Sequence, residues 1–342
     1  MDARPYAEGS ELSTTAALEH SRWRLPEASP SGPRRPRDGW AGARPLTDAE
    51  HAAHVADVTA RLADAQAAGL VTHALHTVDR GHEVWSYERR LVHDSLVQAL
   101  YARAADVPCD HWAILAGGLP GAGKTTVLGR QARLDLPGFL AINPDLIKEE
   151  LAQRGLTPQV DGLTPMEATR LAHEESSHIA KRLARRAQAD GKNMIWDVTM
   201  SGADTCAGRI TALRAAGYRR IDAVFVDVPV EVSLRRADAR HRHGHDAYRA
   251  GAGAGGRYTP AELILAQADP QWGSVNRATF ELVKDRFTMW ARYDNSVDGR
   301  AARLVADSRL VADSRGARPE RRGRRPGRAR LPGRMSDKER GR

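Results

Sequence analysis

Cysteine is scarce in this chain: Cys109 and Cys206 are the only two among 342 residues, and neither has a CxxC neighbour or a histidine at zinc-ligand spacing. That argues against a disulfide framework and against a zinc site, and fits a reducing cytoplasm. No run approaches the roughly 18 apolar residues that a membrane-spanning helix needs, and the opening "MDARPYAEGSELSTT" lacks the apolar centre of a signal peptide. A soluble intracellular protein with no membrane partner is expected. Lysine is scarce as well, with six beside 46 arginines, so a lysine at a motif position is not a product of composition. A net charge of +9 invites a nucleic-acid partner, yet Arg315 to Arg342 hold twelve Lys and Arg against three Asp and Glu, which is the whole excess. The body of the chain is formally neutral. The basic tail is Pro/Gly-spaced and lacks the interleaved aromatics of a single-strand binder, so nucleic acid is not expected as the main partner.

What is present is enough apolar residues, 41% with seven Trp, to bury a sizeable core. Residues 1 to about 46 are rich in Pro, Ser, Gly and Arg without apolar periodicity and read as disordered. Thr47 and Glu50 then stand at capping-box spacing before a helix that closes at Gly69. A second helix is predicted from about Glu83 to Ala105, with Leu91, Leu96, Leu100 and Tyr101 near one stripe. From His111 the pattern changes to short apolar runs, "WAILAG", "GFLAIN", "NMIWDVT" and "IDAVFVDV", each followed by an amphipathic or capped segment. That alternation predicts an α/β fold with a mostly parallel sheet flanked by helices. "FTMWARYDN" and "ARLVAD" offer one or two further strands, and "LVADSR" occurs twice in tandem from Leu304 to Arg315.

The stretch Gly118-Leu-Pro-Gly121-Ala122-Gly123-Lys124-Thr125-Thr126 satisfies GxxxxGK[ST] and stands between a predicted strand and a predicted helix, "TTVLGRQARL". Such a loop turns its backbone N–H groups toward phosphates, sends Lys124 to the β/γ-phosphates and offers the Thr125 hydroxyl to Mg²⁺. These residues define a nucleotide site in a P-loop NTPase fold, with ATP and Mg²⁺ as cofactors. They do not select a reaction. An enzyme that phosphorylates a hydroxyl also needs a carboxylate at the acceptor and cations over the γ-phosphate.

Asp145 lies 21 residues after Lys124, just past the next strand, where ligands bind in open parallel sheets. It serves there as an acceptor-side carboxylate, as a favourable charge at a helix N-terminus capped by Asn143, or as both. Thr164, Pro165 and Glu167 start what is predicted as a helix of roughly 25 residues ending at Gly191. On it Glu175 falls at the centre of the stripe formed by Ala168, Ala172, Ile179 and Leu183, with Ser176 at its edge. A carboxylate there needs a cleft-facing ligand contact or a structural ion pair; the cleft contact is favoured. His173 and His178 read as solvated or capping residues. Asp197 ends the "NMIWD" strand, where it can hold Mg²⁺, contact substrate or cap the next segment, and Thr199 lies beside it.

In this order of motifs the chain resembles the zeta-toxin family: the phosphate loop, "NPD" with a following "IK", "HEESS", "IWDVT", and an arginine-bearing segment ending in "GGRYTP". The resemblance covers roughly Glu83 to Asp313. It implies a P-loop kinase that phosphorylates a hydroxyl of UDP-N-acetylglucosamine, acting as a toxin, with an antitoxin as a possible protein partner. By motif, Asp145 resembles the catalytic base, Glu175 the substrate-binding glutamate and Thr199 a substrate-site threonine. Two lid arginines are implied over the transferring phosphoryl group. Arg257 matches one; Arg235, Arg236, Arg240 and Arg242 compete for the other, and Arg240 is favoured. The insert "HRHGHDAYRAGAGAGG" ahead of Arg257 has no family counterpart and reads as a flexible, mobile lid, with His241, His243 and His245 solvated rather than bound to metal. The expected organisation is a disordered extension over 1–46, a kinase domain over 47–314 (leading helices 47–106, core 111–314), and a basic disordered tail over 315–342. Two alternatives stand beside it: a P-loop kinase for another small molecule or a nucleic-acid end, and a nucleic-acid-binding ATPase acting through the Arg-rich tail.

Overall fold

The computed structural model describes residues 44–79 and 84–308. The tail 315–342, the second "LVADSR" copy and nearly all of the 1–46 extension lie outside the described residues.

Two helices, α1 (Asp48–Ala67) and α2 (Thr72–His76), precede a small hairpin of β1 (Thr77–Asp79) and β2 (Val84–Trp85) and the helix α3 (Tyr87–Ala102). The capping box read from Thr47 and Glu50 is formed, and Gly69 follows the end of α1 at φ 75°. Helix α3 starts later than expected because Ser86 caps it, its hydroxyl accepting from the Arg89 N–H.

The central sheet is built from β3 (Trp112–Gly117), β4 (Leu140–Ile142), β5 (Met194–Asp197), β6 (Arg220–Asp227), β9 (Met289–Asp294) and β10 (Arg303–Asp307), in spatial order β10-β9-β6-β3-β5-β4. All neighbours pair in parallel except β10, which runs antiparallel to β9 at the edge. The apolar runs are explained by cover on both faces. Alternate residues of β3 enter different cores: Ala113 and Leu115 pack with Leu96, Leu183 and Phe280, whereas Ile114 and Ala116 pack with Val127, Val224 and Ala237. Because β4 and β5 lie to one side of β3 and β6 to the other, the chain reverses direction across the sheet at β3. That opens a crevice at the carboxyl ends of β3, β5 and β6.

Between the strands run α4 (Lys124–Thr126), α5 (Pro144–Gln153), α6 (Pro165–Ala168), α7 (His173–Ala189), α8 (Ala203–Ala215), α9 (Val230–Arg249), α10 (Ala261–Leu265) and α11 (Val275–Val283), with the short pair β7 (Ala268–Asp269) and β8 (Gly273–Ser274) before α11. Three expectations are corrected. The helix after the phosphate loop is only α4 followed by a π-turn over Val127–Gln131, where Gly129 weakens helical propensity and Leu136 folds back onto it. The helix of roughly 25 residues is divided into α6, a 3₁₀ turn over Thr169–Ala172 and α7. The Thr169 hydroxyl donates to the Met166 carbonyl at 2.6 Å, and Ala172 leaves helical geometry at ψ 23°. The insert taken as a flexible loop is helical through Arg249. Ala237, His241, His245 and Tyr248 recur on one buried face of α9, and Gly244 is bare enough for the backbone of Gly256 to lie against it.

Among the described residues no helix is long and apolar enough to cross a membrane.

Candidate active site

The phosphate loop leaves β3 at Gly118, whose φ of 134° and position against the Val226 carbonyl admit no side chain: a Cβ would lie 2.3 Å from that oxygen. Gly123, at φ 82°, is equally constrained by the Asn295 amide, 2.6 Å from where its Cβ would be. Asn295 Nδ2 donates to the Ala122 carbonyl at 2.7 Å, and the Ser233 hydroxyl donates to the Pro120 carbonyl at 2.6 Å. These two braces hold the loop from β9 and α9. Nothing in the sequence marked them, because each bonds a backbone oxygen more than a hundred residues away. Buried Ala122 forms the floor of the loop, and Thr125 and Thr126 are exposed at its rim. The Lys124 ammonium donates to the carbonyls of Gly118 and Leu119 at 3.2 and 3.4 Å, and it lies 3.4 Å from Asp197 Oδ1.

From Asp197 a chain of polar contacts crosses the crevice. Asn143 Nδ2 donates to Asp197 Oδ2 at 3.0 Å, while Asn143 Oδ1 accepts from the Asp145 N–H at 2.8 Å and caps α5. Asp145 thus has the helix-terminal position, and its side chain is paired as well: its Oδ2 accepts from Arg257 at 2.9 Å and its Oδ1 from Lys148 at 3.1 Å. Arg257 also pairs with Glu149. Burial pushes the Asp145 carboxyl up, but Lys148 and Arg257 outweigh burial and hold it below its ordinary value. Asp197 goes the other way: burial raises it, with Asp145 adding to the effect and Lys124 only partly opposing it.

The structure separates the four competing arginines. Arg235 and Arg236 reach Asp298 at 2.5 and 2.7 Å, and Arg242 reaches Asp48 at 2.6 Å. Arg240 instead is exposed on α9, within electrostatic range of Arg257, Asp145, Glu149 and Asp197. Lost hydration and the nearby Arg257 lower its pKa, and Asp145, Glu149 and Asp197 counter them. Thr199 is exposed beside Asp197, its hydroxyl 3.1 Å from that of Ser201, and its carbonyl accepts from Asn276 at 2.7 Å.

Glu175 does not join this group; it makes the structural ion pair that stood as its other reading. It is fully buried. Arg89 Nε and Nη2 donate to its two oxygens at 2.5 and 2.8 Å, and His93 Nε2 lies 2.7 Å from Oε1. The carboxylate is the ion-pair partner of α3. Burial opposes its charge, yet His93 and Arg89 lower its pKa to about 2. Mg²⁺ is implied by the fold, and the donors suit it: the Thr125 hydroxyl and the Asp197 carboxylate are both hard oxygen ligands at the loop.

A glycine-strained loop at the switch point of a parallel sheet, with its lysine against a strand-end aspartate, defines a P-loop NTPase fold. Within that class the Zeta toxin family model matches residues 109–298, and the chain belongs to this family. Among solved structures, the complex of AvrRxo1-ORF1 and -ORF2 with ATP is 19% identical, with a TM-score of 0.53 over 69% of this chain and 76% of that one. The same complex with sulphate ions is 20% identical, with a TM-score of 0.50 over 67% and 71%. A structure from the PezAT toxin-antitoxin system of Streptococcus pneumoniae is 18% identical, with a TM-score of 0.43 over 63% and 79%. No curated protein matches the chain.

Proposed function

We propose that the protein is an ATP-dependent kinase that phosphorylates a hydroxyl of a UDP-sugar, UDP-N-acetylglucosamine first among them, within one catalytic domain over residues 47–314. The observation that carries the reading is the polar chain from Lys124 through Asp197, Asn143 and Asp145 to Arg257, which joins a phosphate-donor site to an acceptor carboxylate with a guanidinium at hand. Family membership supports it, and a protein of similar fold has been crystallised with ATP. The sugar nucleotide rests on the motif resemblance, as do an antitoxin partner, a toxic role and a cytoplasmic location.

In this reading the loop N–H groups and Lys124 hold the β/γ-phosphates. Thr125 and Asp197 would hold Mg²⁺, which supplies charge neutralisation at the transferring group. Asp145 orients the acceptor hydroxyl and takes its proton, and Thr199 contacts the substrate at the rim. In the structure the Asp145 lone pair is occupied by Arg257 and its carboxyl is held low, which makes it a weak base. Exchange of Asp145 for the phosphoryl oxygens by Arg257, with Arg240 beside it, gives the base its lone pair and the developing charge its cations. Incubation with γ-labelled ATP and a panel of UDP-sugars, nucleosides and oligonucleotides tests the acceptor. Label is expected in a UDP-sugar; label only in nucleosides or oligonucleotides contradicts the assignment.

A further inference from the structure

We propose that the protein carries a second, structural metal site for a Zn²⁺-type ion behind the arginine-bearing helix, with Glu167, His54 and His245 as ligands and His241 as the fourth. Oε1 of fully buried Glu167 lies 2.8 Å from His54 Nε2, 2.8 Å from His241 Nε2 and 3.3 Å from His245 Nδ1. The ligand atoms of His54, Glu167 and His245 all lie within 4.8 Å of one another. The other oxygen of Glu167 is committed to the Thr164 N–H at 2.8 Å in the capping box.

Three imidazole nitrogens therefore converge on one carboxylate oxygen, which has only two lone-pair directions to offer. A divalent ion among the four groups resolves the conflict, because each nitrogen then donates a lone pair to the metal and Oε1 donates one of its own. Imidazole and carboxylate suit Zn²⁺, at about 2.0–2.2 Å from each donor in a tetrahedron. Donors so placed are about 3.4 Å apart, so the nitrogen–oxygen distances of 2.8 and 3.3 Å would widen by up to roughly half an ångström, while His241, which stands outside the group whose ligand atoms all lie within 4.8 Å of one another, would move inward to become the fourth ligand. His241 and His245, one helical turn apart, present both rings from one face of α9. A cleft of about 430 Å³ bordered by Val55, Thr59, Asp238 and His241 gives an entry path between α1 and α9.

The ion would fasten α1 to α6 and α9, three elements far apart in the chain. Next to its ligands stand Arg240 and, through the Gly256 backbone packed on the His241 carbonyl, Arg257. Metal occupancy thereby sets the base on which both arginines are carried.

The test uses full-length protein without a histidine tag, stripped with chelator and titrated with Co²⁺. The expected result is one equivalent bound with the intense visible bands of tetrahedral cobalt, bleached by Zn²⁺. His54→Ala, on the partly accessible helix α1, and His245→Ala should each weaken Co²⁺ binding by ~100-fold or more. His243→Ala, exposed on the same helix, should leave it unchanged. Zn²⁺ should raise the melting midpoint of the parent and not of His245→Ala. Absent tetrahedral bands, or bands unchanged in both His54→Ala and His245→Ala, overturn the proposal. No turnover enters the readout, so the result is independent of the kinase reading.

Discussion

Replacing Glu175 with glutamine keeps the side-chain shape and removes the charge that Arg89 and His93 share. The magnitude follows from two routes. A carboxyl whose pKa drops from 4.5 to about 2 on folding stabilises the folded state by roughly 3 kcal/mol at neutral pH. Removing one member of a buried ion pair, here with Glu175 fully buried and Arg89 nearly so, costs about 3–5 kcal/mol, because the remaining charge is left uncompensated. Both routes give a loss near 3 kcal/mol, or a melting midpoint lower by roughly 6–12 °C for a domain of this size. The sign with pH is fixed as well. The pKa is depressed in the folded state, so the contribution is complete above 4.5 and disappears as pH falls toward 2; the gap between parent and variant should close over that window. Thermal melts followed by circular dichroism at pH 7, 4.5 and 3 measure this. A variant melting within about 2 °C of the parent at pH 7, with a raised KM for the acceptor instead, would refute the ion-pair account and restore Glu175 as a substrate contact.

Three further outcomes are expected from the crevice. Asp145→Asn should lower kcat by about 10²–10⁴-fold while the KM for ATP stays within about twofold, since the residue acts on the acceptor hydroxyl; steady-state kinetics read both. Arg240→Ala should reduce kcat by about 10³-fold or more, whereas Arg242→Ala, which loses its contacts with Asp48 and the Leu46 carbonyl, should leave kcat within about twofold. Gly118→Ala forces a Cβ to within 2.3 Å of the Val226 carbonyl at φ 134°, and a stability loss above ~2 kcal/mol by urea titration is expected, together with weakened nucleotide binding.

Features set by local chemistry were legible in the sequence. The phosphate loop, the capping boxes at Thr47 and Thr164, and the strand runs of β3, β4, β5 and β6 depend on neighbours a few residues away, and all are formed. Asp145 and Asp197 were legible for a different reason: a residue just past a parallel strand faces the crevice whatever follows it. Glu175 shows where that reasoning stops. Its inward phase on the helix was readable, but its partners Arg89 and His93 stand more than eighty residues earlier on α3, and the helix pattern does not specify which inward environment it meets. The histidine insert was misread on composition. Its glycines resembled a flexible lid, while the spacing of His241 and His245 matched a helix face whose counterparts, His54 and Glu167, lie on other elements.

The central claim is phosphoryl transfer from ATP to a sugar-nucleotide hydroxyl, and product mass measures it most directly. After incubation of the protein with ATP and UDP-N-acetylglucosamine, mass spectrometry should show the acceptor heavier by one phosphoryl group with the parent protein and unchanged with Lys124→Ala. An acceptor of unchanged mass with active, ATP-binding parent protein, or the same product with both proteins, contradicts the account.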